Sequence, residues 1–302
     1  MKDLIGALFI VRNEEWCLRA SLAAALRYAD RLVVYDDRSV DGTPGVLASV
    51  AAAYPGRVCL VPPIPADDRR WPEMRMRQAT LLMARAVGCT VFAINDADEV
   101  PSARVLASMA TPEGRAAVLA RIPTPGDALG LSMLSPVRKN WSTLRVDRSF
   151  AASNVSWLVR DRQDLAWYDD ADRYCHHRRL PRGAETRLTL PRSQGGIFHL
   201  QFANPQRLVA KAVWYKMQEV VSFPGRMPAA ALNQKYDWAV PSEGERIEPL
   251  DPADALPPDL ASLVDFDAPP WQLGEARALA REHGRAPFQG LDLYEHVLGP
   301  LF

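Results

Sequence analysis

The alternation of apolar runs and helix-like segments in the first hundred residues constrains the fold more than any other feature of the chain. The apolar runs are 4–11, 31–35, 57–61 and 91–94. Between them, in 14–28, 46–53 and 75–87, apolar residues recur at helical spacing. Strands separated by helices predict an α/β fold, in which a mostly parallel sheet carries helices on its faces. Ligand sites in such sheets collect at the carboxyl ends of the strands.

Acidic and amide side chains follow three of these runs. Asn13 and Glu14 come after the first run, Asp36-Asp37 closes the second, and Asp96-Ala97-Asp98 closes the fourth. Two carboxylates two residues apart at a strand end can hold a hard cation such as Mg²⁺ or Mn²⁺, which in turn can bridge two phosphates. Such a triplet recurs by chance in chains of this length. Its position after a strand is what points to a metal-assisted phosphate site.

The composition is that of an ordinary globular protein, with 48% hydrophobic and 24% charged residues and a formal net charge of zero. The molecule as a whole is therefore not drawn to nucleic acid or membranes by its charge. The four cysteines form no CxxC pair, which indicates reduced thiols and a cytoplasmic location. The apolar run near the start is too short to cross a bilayer, so we expect no transmembrane segment.

Beyond residue 100 the pattern is less regular. It predicts helices over 104–109, 207–221 and 274–283 and strands over 117–122 and 195–200. We expect a main domain over 1–225, with a nucleotide-binding half (1–100) and an acceptor half (101–225). An acidic, Pro-rich appendage or lid follows over 226–302. The basic, aromatic-rich stretch 138–192 either faces an anionic acceptor or pairs with the acidic stretch 237–275.

Four motifs in this order resemble those of family 2 glycosyltransferases with the GT-A fold. They are Asn13-Glu14 after the first strand, 36–43 (DDRSVDGT) after the second, Arg77 in a helix, and the D-x-D at 96–98. The resemblance implies a GT-A (Rossmann-like) sheet and a metal-dependent hexosyl- or related transferase. It implies a nucleotide-diphosphate sugar as donor, a UDP-sugar being favoured, and Mn²⁺ or Mg²⁺ as cofactor. On this basis we expect the acceptor to be a hydroxyl of a glycan or a lipid-linked precursor.

The same resemblance implies roles for individual residues. The residues implied to contact the nucleotide-sugar are Asn13, Glu14, Asp36, Asp37, Arg77 and Asp96. Asp96 and Asp98 are implied to hold the metal, with Asp98 the more direct ligand. His199, on a late strand after two glycines, resembles a further metal ligand, although a core histidine fits that pattern equally well. Lys211 and Tyr215, one helical turn apart, could reach the diphosphate.

An inverting transferase also needs a base for the acceptor hydroxyl, and Asp169 and Asp170 are the candidates, with nearby aromatic residues able to stack on a sugar. The family's late E-D signature is not plainly present, which leaves inversion or retention open. Cys175-His176-His177 lacks the second ligand pair that zinc sites need.

Two alternative functions stay open: a transferase acting on a modified nucleic-acid base, as in phage-type DNA glycosylation, and a non-catalytic nucleotide-sugar-binding protein. Sugar-phosphate nucleotidyltransferases would carry a G-x-G-T-R loop where this chain has Arg12-Asn13-Glu14. The chain also lacks the G-x-x-x-x-G-K-[ST] motif, which excludes a P-loop kinase.

Overall fold

The computed structural model describes residues 3–65, 73–137, 140–146, 153–168, 178–239 and 246–292. The strands are β1 (Ile5–Val11), β2 (Arg31–Asp36), β3 (Val58–Leu60), β4 (Val91–Asp96), β5 (Glu99–Pro101), β6 (Asp127–Leu134), β7 (Pro136–Val137), β8 (Asn140–Arg145), β9 (Asn154–Arg160), β10 (Glu185–Thr189), β11 (Gly196–His199) and β12 (Ile247–Pro249). The helices are α1 (Glu15–Ala25), α2 (Thr43–Ala53), α3 (Glu73–Ala86), α4 (Ala103–Ala110), α5 (Pro112–Leu119), α6 (Pro205–Ser222), α7 (Ala229–Lys235), α8 (Pro258–Ala261) and α9 (Gln272–His283).

The main sheet runs in the order β3-β2-β1-β4-β9-β6-β11-β5, with β10 also paired to β6. Strands β1 to β4 are mutually parallel, and β10 and β11 each run parallel to β6. Strand β9 pairs antiparallel with β4 and β6, and β5 pairs antiparallel with β11. The mixed, mostly parallel sheet with flanking helices that the sequence predicts is therefore confirmed. A smaller sheet has the order β12-β8-β7.

The side chains of the parallel strands fill a hydrophobic core on each face of the main sheet. Phe9 and Val34 face the core that α1 covers. Leu8 and Phe92 face the core that α3 covers. Because successive side chains of a strand point to opposite faces, a continuous apolar run such as 4–11 suits a strand covered on both sides. Because helices cover both faces of these strands, their ends are the part of the sheet that is open to ligands.

The predicted strand over 117–122 is wrong, because the chain forms the end of helix α5 up to Leu119 and a turn after it. The side chain of Thr111 accepts a hydrogen bond from the backbone N–H of Gly114, and Pro112 occupies the first helical turn. Both features favour a helix start, and the alanines that follow have high helix propensity. These local signals outweigh the apolar run on which the strand prediction rested.

The described residues after 226 pack against elements of the preceding domain. Leu250, Leu256 and Leu260 belong to the core under α1, and β12 pairs with β8. Helix α9 packs on α6 around Ala276 and Met217. The C-terminal segment therefore shares its apolar contacts with the domain that it follows. None of the described helices is both long and apolar enough to cross a membrane.

Several arginines of the basic stretch pair with acids from distant parts of the chain. Arg160 binds Asp3, Arg179 binds Glu99, Arg187 binds Asp127, and Arg192 binds Glu248. The last of these acids lies in the acidic stretch 237–275. These arginines thus have structural partners, most of which lie outside that stretch.

Candidate functional site

A cavity of about 330 Å³ opens at the carboxyl ends of β1 and β4. The charged and ionisable side chains that line it are Arg12, Glu14, Glu73, Arg77, Asp96, Asp98, Arg179, His199 and Lys211. They come from both halves of the main sheet and from helices α3 and α6. The structure thus gathers around one cavity seven of the residues that the sequence analysis singled out: Glu14, Arg77, Asp96, Asp98, His199, Lys211 and Tyr215.

Asp98 lies in the turn between β4 and β5, and its carboxylate is almost fully buried. Its backbone carbonyl accepts a hydrogen bond from the N–H of Leu200, which ties the turn to the end of β11. His199, the last residue of β11, therefore sits beside it, with Nε2 3.2 Å from a carboxylate oxygen of Asp98. The ammonium of Lys211 lies 3.8 Å from the same oxygen. A carboxylate, an imidazole and an ammonium from three separate elements meet here.

The charges of these three side chains together shift their pKa values more than burial does. Burial raises the pKa of Asp98, but His199 and Lys211 lower it more, so that the pKa lies far below its usual value. Burial lowers the pKa values of His199 and Lys211, and the Asp98 carboxylate raises both above their usual values. Asp98 is thus a permanent anion at neutral pH. Lys211 is a permanent cation.

The other acid of the D-x-D, Asp96, has different neighbours. Its side chain is 40% exposed and its oxygens lie 3.4 Å from Arg77 on one side and 3.4 Å from Arg179 on the other. Burial raises its pKa, but the two arginines lower it below the usual value. Arg77 is held in turn by Glu73, one helical turn away on α3, at 2.7 Å. Asp96 is therefore paired with guanidinium groups, whereas Asp98 faces a histidine and a lysine.

Arg179 was not singled out by the sequence analysis, although it lies in the basic stretch. It donates to both carboxylate oxygens of Glu99 and to the backbone carbonyl of Ile94 at the end of β4. Glu99 is almost fully buried, so the pair neutralises a charge beneath the site. Nothing in the local sequence distinguishes Arg179 from the other arginines of this stretch.

Glu14 lies at the start of α1, where its backbone N–H donates to the hydroxyl of Thr43. Its carboxylate accepts a hydrogen bond of 2.6 Å from the indole N–H of Trp16. Burial, and then the negative charge of Asp98, raises the pKa of Glu14 to about 7. This carboxyl therefore changes charge within the physiological range.

Asn13, Asp36 and Asp37 shape the loops behind the cavity. Asn13 has a left-handed backbone (φ 54°), and its side-chain oxygen accepts from the N–H of Val40. A carboxylate oxygen of Asp36 accepts from the N–H of Ser39. Asp37 is buried beside Arg12, at 3.4 Å. These bonds join the ends of β1 and β2, and none of the three acid or amide side chains lines the cavity itself.

Arg12 links this loop region to the C-terminal segment. Besides Asp37 it pairs with Glu275 of α9, and its guanidinium lies 5.4 Å from the ring centre of Trp271. Glu275 also accepts a hydrogen bond from the indole of Trp214 on α6. Trp271 and Gln272, at the start of α9, line the cavity beside Arg12. The sequence predicted an appendage or lid over 226–302 without naming these residues.

A divalent metal fits the pair formed by Asp98 and His199. Nε2 of His199 faces the Asp98 carboxylate, and the buried Nδ1 has no hydrogen-bond partner among the described residues. A carboxylate beside an imidazole is a donor set that suits Mn²⁺. Within the described ranges no three His, Cys, Asp or Glu side chains are grouped closely enough to hold a metal. These two residues could thus supply only part of a coordination shell.

Some sequence candidates lie outside the described residues. These are Asp169 and Asp170, the candidate bases, and Cys175-His176-His177. Nothing in the structure tests their roles.

Comparison with known proteins finds no matching family model and no matching curated protein. Similar solved structures include residues 1–349 of TarS from S. aureus (11% identity, TM-score 0.42, 76% of this chain and 68% of that chain). The chain spans 42% of a longer TarS structure and 46% of a TarS complex with UDP. The mannosyltransferase PcManGT from Pyrobaculum calidifontis was solved with GDP-Man and Mn²⁺ (13%, TM-score 0.38, 99% and 79%). GalNAc-T7 was solved with UDP, GalNAc and Mn²⁺ (14%, TM-score 0.36, 78% and 54%). These similarities are remote, with at most 14% sequence identity and TM-scores of 0.42 or below.

Proposed function

We propose that the protein is a metal-dependent glycosyltransferase that moves a sugar from a nucleotide-diphosphate sugar to an acceptor hydroxyl. The observation that carries this proposal is the meeting of Asp98, His199 and Lys211 in a cavity at the carboxyl ends of parallel strands. A departing diphosphate gains negative charge, which a divalent metal and fixed positive charges can each stabilise. This corner of the cavity has one fixed positive charge, Lys211, and two side chains, Asp98 and His199, that could bind a metal.

The fixed positive charges are Arg77, Arg179 and Lys211, all of which line the cavity. Lys211 remains an ammonium at neutral pH because Asp98 raises its pKa. Arg77 is anchored by Glu73 and Arg179 by Glu99, so neither guanidinium has to be reoriented when substrate binds. Preorganised charges of this kind stabilise negative charge that develops on a leaving group.

Asp98 and His199 would hold the metal, Mn²⁺ or Mg²⁺. Bound there, it would act as a Lewis acid toward the diphosphate. We expect Asp96 to contribute to the same site from its position between two arginines. Of the residues expected to contact the nucleoside, Glu14 lines the cavity and would do so directly, whereas Asn13, Asp36 and Asp37 would support the loops around it. A UDP-sugar is the favoured donor. Asp169 or Asp170 remains the predicted base, and a glycan or a lipid-linked precursor is the predicted acceptor.

A ligand screen by thermal unfolding tests the proposal. The melting temperature is measured with UDP, GDP and their sugars, each with and without Mn²⁺, and donor hydrolysis is followed in parallel. We expect stabilisation by one nucleotide that depends on the metal, because the metal bridges the protein and the diphosphate. ATP with Mn²⁺ serves as a control for nonspecific binding of metal-nucleotide complexes.

Two results would count against the proposal. If no nucleotide diphosphate raises the melting temperature, with or without metal, there is no donor site. If binding occurs but neither hydrolysis nor transfer can be detected with any nucleotide sugar, the protein is a binding protein rather than an enzyme.

A further inference from the structure

Five aromatic side chains line the same cavity as the charged residues. We call this set the aromatic cluster; its members are Phe202, Trp214, Tyr215, Trp238 and Trp271. Trp214 packs edge-on against Trp271, with ring centres 5.1 Å apart. Neither phosphate nor metal is favoured by such a surface. The proposed donor diphosphate would therefore bind at the charged residues. The aromatic cluster would bind a different part of the substrates.

Two buried glutamines lie next to this cluster and line the cavity. Gln201 is 6% exposed and Gln272 is 2% exposed, and each has a side-chain oxygen without a hydrogen-bond partner among the described residues. The indole N–H of Trp271 is likewise buried without a partner in the described part of the chain. Buried polar groups are nearly always paired, and unpaired ones need an explanation. A polar ligand that enters the cavity would supply the missing partners.

We propose that the aromatic cluster together with Gln201 and Gln272 is the acceptor subsite, and that the acceptor is a carbohydrate. The assignment as acceptor subsite rests on the proposed glycosyltransferase function. A pyranose ring presents C–H groups on its faces, which pack on aromatic rings, and hydroxyls around its edge. Carboxamides match those hydroxyls because they can both donate and accept hydrogen bonds. A flat aromatic acceptor would use the rings but would leave the glutamines unpaired.

The position of the cluster suits an acceptor. Phe202 packs edge-on against His199, with ring centres 5.0 Å apart, and Trp238 packs on Phe202 at 6.4 Å. The aromatic surface thus begins directly beside the proposed metal ligand. A sugar stacked there would hold one hydroxyl close to the donor, and positioning of this kind is a large part of catalysis in group transfer.

Saturation-transfer NMR on the full chain tests this proposal. The probes are the methyl glycosides of glucose, galactose, mannose and N-acetylglucosamine, with 4-methylphenol and 2-naphthol as flat aromatic comparisons. Binding is measured without nucleotide or metal, so that it does not depend on the donor site. The variants are Gln272→Leu, which keeps nearly the same volume, and Gln206→Leu, the same change at an exposed glutamine of α6.

We expect at least one glycoside to bind the wild type and Gln206→Leu, and its affinity for Gln272→Leu to fall by about tenfold, the usual consequence of one lost hydrogen bond. We also expect the melting temperature of Gln272→Leu to equal or exceed that of the wild type, because the side-chain oxygen that it removes has no hydrogen-bond partner within the described ranges. The UDP- or GDP-dependent shift seen with Mn²⁺ should be unchanged.

Several outcomes would overturn the proposal: no glycoside binds, only the flat aromatics bind, or glycoside binding is the same in Gln272→Leu. A change in nucleotide binding instead of glycoside binding would assign the glutamine to the donor. If Gln272→Leu does not fold, glycoside binding is measured with Trp238→Leu instead. Unchanged glycoside binding in that variant would overturn the proposed subsite. Because the nucleotide screen is separate, a failed donor site and a failed acceptor subsite give different results.

Discussion

The two halves of the main sheet contribute to the site in different ways. In the first half, strands β1 to β4 are parallel, so the motifs that follow β1, β2 and β4 all lie at one edge of the sheet, with β1 between β2 and β4. In the second half, β9 and β5 run antiparallel to their neighbours, and β6 lies between strands that are far from it in sequence. The first half places the acids through local motifs. The second half places their partners through long-range packing.

Asp96 and Asp98 show what this difference means for chemistry. Both come from the first half and are two residues apart, yet one is paired with Arg179 and the other with His199 and Lys211. Arg179 is 80 residues from the Glu99 that it clamps. Apart from Arg77, the charged partners of this first-half motif thus come from the second half. The predictions below test that dependence, from the largest expected effect to the smallest.

Replacing Arg179 with leucine should have the largest effect on stability. It leaves the carboxylate of Glu99 buried and unpaired, which costs about 3–5 kcal/mol in the free energy of unfolding. Urea unfolding measures the loss. Arg187→Ala is the matched control, since Arg187 is 61% exposed beside Asp127, and its urea midpoint should stay that of the wild type. Equal midpoints for the two variants would show that the ion pair of Arg179 and Glu99 does not contribute to the free energy of unfolding.

The two acids of the D-x-D should differ in their effect on activity. Asp98→Asn should lower donor hydrolysis by on the order of a hundredfold or more and remove the metal-dependent thermal shift with nucleotide. Asp96→Asn should lower activity less, because its carboxylate already shares its charge with Arg77 and Arg179. Kinetics across a Mn²⁺ titration provides the measurement. The reverse order of effects would place the metal on Asp96.

Glu14 should make stability depend on pH in the metal-free protein. Because its pKa is about 7 in the folded chain and about 4.5 when unfolded, its contribution is fully present below pH 4.5 and is lost as the pH rises through 7. Glu14→Gln removes the charge, so its stability relative to the wild type should rise by on the order of 2 kcal/mol between about pH 5 and about pH 8. Thermal unfolding in EDTA measures this difference. The exposed Glu113→Gln is the control; a constant difference between Glu14→Gln and wild type would contradict the raised pKa.

The helix cap at Thr111 should give the smallest effect. Thr111→Ala removes the bond to the N–H of Gly114 and should lower the free energy of unfolding by about 1 kcal/mol. Thr111→Ser keeps the hydroxyl and should retain most of the stability. Denaturant titrations compare the two. Equal losses in both variants would mean that the methyl group, not the cap, matters.

The first half of the fold could be predicted from the sequence because its signals are local. A continuous apolar run such as 91–94 indicates a buried strand, and strand ends in a parallel sheet share one edge. The prediction failed at 117–122, where capping by Thr111 and Pro112 decided the structure. His199 was found through a strand-like pattern. Arg179, Gln201 and Gln272 were not predicted, since a single buried arginine or glutamine leaves no periodic trace.

By itself, then, the sequence determined the parallel α/β framework and the acids at the ends of β1, β2 and β4. Only the tertiary structure decided that Asp98 meets His199 and Lys211, that Asp96 is held by two arginines, and that Trp271 and Gln272 line the cavity. The physical reason is one of range. Hydrophobic periodicity and capping act over a few residues, whereas the charge and burial of a site depend on groups brought together by the packing of distant elements.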